Sequence, residues 1–118
     1  MTDQRTTPES AAGDLSDEII SEIVARVRDA SRPEQVILFG SAATGRMTRD
    51  SDIDILVVLN NVADARQEAM RVRTALVGLQ FPFDVIVISR DRFEETRDVI
   101  GGIAWPAARY GRVIYQAA

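Results

Sequence analysis

The chain has no cysteine, no histidine and no lysine; all fourteen of its basic residues are arginine. Each absence removes a chemistry. Without cysteine there is no disulfide scaffold, thiolate zinc site or cysteine nucleophile; without histidine, no Ser-His-Asp triad; without lysine, no Schiff base. Any catalysis must therefore run on carboxylates, hydroxyls, arginines and bound metal, and such ligands select a metal that prefers oxygen, Mg2+ or Mn2+. No apolar run approaches the ~20 residues of a membrane span and no signal peptide opens the chain, so no membrane association is expected and the cytoplasm is the expected location. Positive charge is not in excess either. A net charge of -4 and a pI near 4.8 argue against direct nucleic-acid binding, which uses a basic face, and suit a basic or neutral protein partner. What remains is ordinary for a globular protein: 118 residues, 46% hydrophobic and 27% charged, fit one core and leave no room for a second catalytic or substrate domain.

The chemistry is concentrated in residues 36–59, VILFGSAATGRMTRDSDIDILVVL. Val36 to Phe39 is a short apolar run that ends in Gly40-Ser41, the pattern of a strand entering a turn whose next helix can present free N–H groups to an anion. Ten residues later comes Asp52-Ile53-Asp54. Side chains alternate along a strand, so Asp52 and Asp54 share a face with alpha carbons roughly 6.5 to 7 Å apart and can hold one or two hard cations. A polar loop before a strand would account for Asp52 alone. It does not account for Asp54, which opens the continuous apolar run Ile55 to Leu59. Such a run reads as a strand covered on both faces, where an ionised carboxylate is costly unless paired or metal-bound. Metal at one end and phosphate at the other suggest a nucleoside triphosphate.

The rest of the chain reads as packing. Residues 1–14 are polar and aperiodic and are expected to be a mobile tail, with the domain spanning 15–118. Ser16 caps a helix carrying Ile19, Ile20, Ile23, Val24 and Val27 on one stripe; it stops near Ala30 ahead of Pro33, and Val36 opens the first strand. Ala42 to Gly45 is a turn or two of helix, with Ser41 either a plain N-cap or a phosphate ligand. Arg46 and Arg49 stand in the loop that follows. Asn61 can cap a second long helix, Val62 to about Leu79. Phe83 to Ser89 is a further buried strand with one acid, Asp84, near its start, and if it neighbours Ile53 to Leu59 this acid completes a cluster of three carboxylates. Ser89 caps a short helix over Asp91 to Arg97, another starts near Ile103 and ends at Gly111, and Arg112 to Tyr115 returns as a strand.

Gly40-Ser41, the gap, Asp52-Ile53-Asp54 and the apolar strand after them resemble the signature of the DNA polymerase β-like nucleotidyltransferase superfamily. The short length points within it to the minimal nucleotidyltransferases, the MNT antitoxins encoded beside HEPN-domain toxins; the resemblance spans roughly residues 16 to 116. The family often shows Gly-Ser-x-Ala-Arg-Gly, and here Thr44 replaces the arginine, leaving Arg46 or Arg49 to supply a cation. The resemblance implies an α/β (α+β) domain of the polymerase β-like nucleotidyltransferase fold, a small mixed sheet with helices packed on it. It implies two Mg2+ ions held by Asp52, Asp54 and Asp84, with ATP bound at Gly40, Ser41 and the two arginines. AMP would pass to a tyrosine hydroxyl of a HEPN-type ribonuclease toxin. Two alternatives remain: an antitoxin of this fold that neutralises by masking its toxin, kept open by Thr44, and an enzyme that nucleotidylates a small molecule such as an antibiotic, whose relatives carry substrate domains this chain lacks.

Overall fold

A computed structural model describes residues 15–48 and 51–117; the expected tail, residues 1–14, and Arg49 lie outside the described residues. In chain order the elements are α1 (Asp17–Ala30), β1 (Pro33–Phe39), α2 (Ser41–Thr44), β2 (Ile53–Leu59), α3 (Ala65–Ala75), β3 (Phe83–Ser89), α4 (Arg90–Thr96), α5 (Trp105–Tyr110) and β4 (Arg112–Gln116). Among the described residues the strands form one mixed sheet in the order β3-β2-β1-β4. β1 runs antiparallel to β2 and to β4, while β2 and β3 are parallel. That parallel pairing requires a crossover, which α3 provides.

The two central strands are apolar on both faces because both faces are covered. On one side Val36 and Leu38 of β1, Ile53, Ile55 and Val57 of β2 and Val85 and Val87 of β3 pack with Ile23 and Val27 of α1, Val72 of α3 and Leu76 just after it. On the other, Ile37, Leu56, Val58 and Ile88 pack with Phe93 of α4 and Ala107 of α5. A mixed sheet with helices on it is what the resemblance implied. No helix among the described residues is long and apolar enough to cross a membrane.

Several boundaries differ from the sequence reading, each for a local reason. β1 begins at Pro33 rather than Val36, since proline is tolerated at the first residue of a strand and the register shifts there before settling at Gln35. α3 begins after Asp64, not Asn61: the Asp64 carboxylate accepts the N–H of Gln67 at 3.1 Å. It also ends sooner than Leu79, at Ala75, and Gly78 follows with φ of 104°. Its last turn is capped from outside, because Arg26 of α1 donates to the carbonyls of Ala75 and Val77 at 3.2 and 2.7 Å. Those carbonyls would otherwise lack helical partners.

Candidate active site

Three acids share one edge of the sheet because of strand register. Asp54 of β2 is the direct partner of Asp84 of β3, and parallel partners point to the same face. A backbone bond from Ile53 N–H to the Pro82 carbonyl, 2.8 Å, sets this register at the strand starts. Asp52, two residues before Asp54, falls on that face too. Across the sheet Asp54 pairs with Phe39 of β1, so it stands between an apolar ring and a second carboxylate. Asp54 is half-buried, whereas Asp52 and Asp84 are exposed.

This placement has an electrostatic cost. Burial, then the neighbouring charge of Asp84, then that of Asp52 push the Asp54 carboxyl above the ordinary aspartate range. No side chain or backbone group among the described residues donates a hydrogen bond to Asp54 or pairs with it at ion-pair distance. The acids are adjacent but not yet gathered: among the described residues no three acidic side chains converge as a ready-made metal cage. Like charges so placed repel, and the exposed Asp52 and Asp84 lie on the solvent side of the half-buried Asp54.

Gly40 closes the other side of the site. It has φ 68° and ψ -148°, a region open essentially to glycine, and it precedes the first residue of α2. A Cβ at this position would overlap Oδ2 of Asp54. The glycine is thus required twice, by its backbone and by the carboxylate against it; the sequence showed a turn there but not that contact. Ser41 is the first helical residue and not the cap, so a plain N-cap role for it is set aside. Thr44 turns its hydroxyl back onto the carbonyls of Gly40 and Ser41, at 3.3 and 3.5 Å.

The loop from α2 to β2 is held at both ends. Met47 is buried in the core, and Thr48 and Ser51 clasp one another, with Thr48 N–H donating to Ser51 Oγ at 2.8 Å. Arg46, beside the buried Met47, is exposed and forms no ion pair or side-chain hydrogen bond among the described residues. The structure therefore brings together Gly40, Ser41, Asp52, Asp54 and Asp84, and leaves Arg46 in the adjoining loop without a partner to fix its role.

In structure the chain resembles chains of three toxin–antitoxin complexes. One is a complex with AMP-PNP, at 22% identity and a TM-score of 0.54 over 83% of this chain and 73% of that one. Another is a mutant MntA–HpeT complex, at 19% identity and a TM-score of 0.57 over the same shares, 83% and 73%. The third is a tri-AMPylated Shewanella oneidensis HEPN toxin with its MNT antitoxin, at 17% identity and a TM-score of 0.53 over 87% of this chain and 74% of that one. At such identities the likeness is one of fold. No match was found among curated proteins. The family model described as the nucleotidyltransferase domain matches residues 20–104, which include Gly40, Ser41 and all three acids. The chain belongs to the nucleotidyltransferase domain family.

Proposed function

We propose that this protein is an antitoxin that transfers AMP from ATP to a hydroxyl, a tyrosine hydroxyl, of a HEPN-type ribonuclease toxin. The observation that carries the reading is the parallel register that sets Asp54 beside Asp84, with Asp52 on the same face and Gly40-Ser41 against them. The three solved complexes support the choice of partner, since in one the HEPN toxin is tri-AMPylated and in another AMP-PNP is present.

The donor set fits Mg2+. It offers only carboxylate oxygens, and burial together with the charges of Asp84 and Asp52 raises the Asp54 carboxyl, a placement that a bound divalent cation would favour. Asp52, Asp54 and Asp84 would hold the metal, in two ions; when bound, it would neutralise triphosphate charge and favour the ionised form of the attacking hydroxyl. The remaining work falls to the chain. Gly40 lets the Asp54 carboxylate lie against the turn, and the Ser41 hydroxyl and nearby N–H groups hold the β- and γ-phosphates. Arg46 meets the triphosphate from the loop just after, and Arg49, three positions on in sequence, is a second candidate cation. The acceptor oxygen bonds to the α-phosphorus, the bond from that phosphorus to the bridging oxygen breaks, pyrophosphate leaves, and Asp84 accepts the hydroxyl proton.

A second reading, masking without transfer, is favoured by one observation. Thr44 replaces the family's arginine and donates its hydroxyl to the carbonyls of Gly40 and Ser41, so position 44 itself supplies no guanidinium. Intact-mass spectrometry of the partner co-expressed with this chain separates the two. The transfer reading expects one or more added AMP units, absent when Asp52→Asn and Asp54→Asn are combined. A neutralised partner of unmodified mass would leave only masking.

A further inference from the structure

At the opposite end of the sheet, outside the carboxyl end of β2, lies a cavity of about 610 Å3 that contains none of the site's acids. Strand residues advance about 3.3 Å each, so Leu59 on its wall stands roughly 15 to 20 Å from Asp54. Its volume falls in the range of small-molecule sites, and its lining is mainly polar. Three arginines reach it from three parts of the fold: Arg28 from the last turn of α1, Arg32 from the turn into β1, and Arg71 from α3. Asn60 and Asn61, after β2, add neutral amides. Asp29 and Glu68 also line it, which leaves three cations against two acids in a protein whose net charge is -4.

A cation at a helix C-terminus needs no ligand to explain it, and Arg28 alone would mean nothing. The same applies to Arg32, which follows the Ser31 C-cap of α1, but Arg71 comes to the cavity from within α3. None of the three forms an ion pair among the described residues, although Asp29 and Glu68 line the same cavity. Arg28 is further held with its guanidinium over the ring of Tyr115, 4.8 Å from the centroid, which fixes its plane and leaves its N–H groups available. Tyr115 lines an adjoining cavity that shares Arg28, Ser31 and Arg32, so the two adjoin as one groove; Glu34 also lines this part, its carboxylate paired with Arg90 at 2.8 Å.

From this geometry we propose that the groove is a second anion site, separate from the carboxylate edge, which takes a small oligophosphate. A guanidinium offers paired donors that match phosphate oxygens, and three of them on separate elements suit an anion with more than one charged centre. The site does not rest on the transfer reaction. Binding there needs no divalent metal, whereas an acidic edge stripped of metal repels the same anion.

Calorimetric titration of inorganic pyrophosphate into the full chain with chelator present tests this. Saturable binding that weakens at least tenfold in the combined Arg32→Gln and Arg71→Gln variant, and weakens with added salt, is the expected result. Amide shifts in the wild-type protein should move at Arg28 to Arg32 and at Asn60 and Asn61, and stay still at Gly40 and Ser41. Absence of saturable binding, an unchanged affinity in the variant, or shifts confined to Gly40 and Ser41 would overturn the proposal. Because the wild-type shift map needs no mutant, a variant that misfolds does not protect it.

Discussion

Asp54 is the residue at which burial and like charge act together, and its titration has a predictable sign. Its carboxyl is harder to ionise in the folded chain than in the unfolded one, whose ordinary value is about 3.9. The folded state therefore binds more protons through the window above that value. The stability this group contributes is present in full below the ordinary value and is lost as pH rises through the folded one. In chelator, thermal unfolding of the wild type should show that decline, and Asp54→Asn should lack it and melt higher at neutral pH. Mg2+ should raise the melting temperature of the wild type more than that of the variant. A variant less stable than wild type at neutral pH would mean the carboxylate is held by a favourable contact. At this scale the sequence was legible where chemistry and periodicity conflicted: an acid opening an apolar strand has few bland explanations. It was silent about Arg28, Arg32 and Arg71, which are far apart in the chain and form no local pattern, and about the contact between Gly40 and Asp54, which depends on how two strands are paired.

The elements were legible in proportion to how far their own residues define them. β2 and β3 come out as read, because their apolar runs are bounded by polar residues on both sides. Ser16 and Ser89 cap their helices as read, accepting from Ile19 and Arg92 N–H at 3.2 Å each. α3 was read too long at both ends because Asn61 and Asp64 are equally good caps on paper and Leu76 to Leu79 continues the stripe. What stops it is partly tertiary. Arg26 lies off the apolar stripe of α1, yet it bonds Glu22 at 2.9 Å and spans to the end of α3. Hydrogen bonds from a charged donor are worth about 1.5 to 3 kcal/mol, less where water competes. Arg26→Met, which keeps much of the stem, should lower stability by roughly 1 to 2 kcal/mol in urea unfolding with an unchanged m-value. A loss well below that would show that water caps the helix equally well.

On the scale of the whole molecule, almost every element is committed to the sheet, its two apolar layers or the acidic edge. A transfer reaction must hold its acceptor about 3 to 3.5 Å from the phosphorus and in line, which requires a wall on the acceptor side. A folded partner brings its own wall; a lone sugar or amino alcohol does not, which is why a protein acceptor is the better reading. The parallel pairing of β2 with β3 has one more consequence, in time rather than in space. Asp54 and Asp84 stand thirty positions apart in sequence and meet only when that pairing closes. Non-local strand contacts of this kind form slowly, after local helices. The acidic edge should thus form after the helices, as should the β1–β4 pairing, whose partners Gln35 and Gln116 lie still farther apart in sequence. In stopped-flow refolding, helical circular dichroism should recover ahead of Mg2+ binding. Simultaneous recovery would mean the strands pair as early as the helices form. A newly made chain would then pass through an interval in which it has its helices but not its acidic edge, and any reaction that needs Asp54 beside Asp84 would have to wait for it.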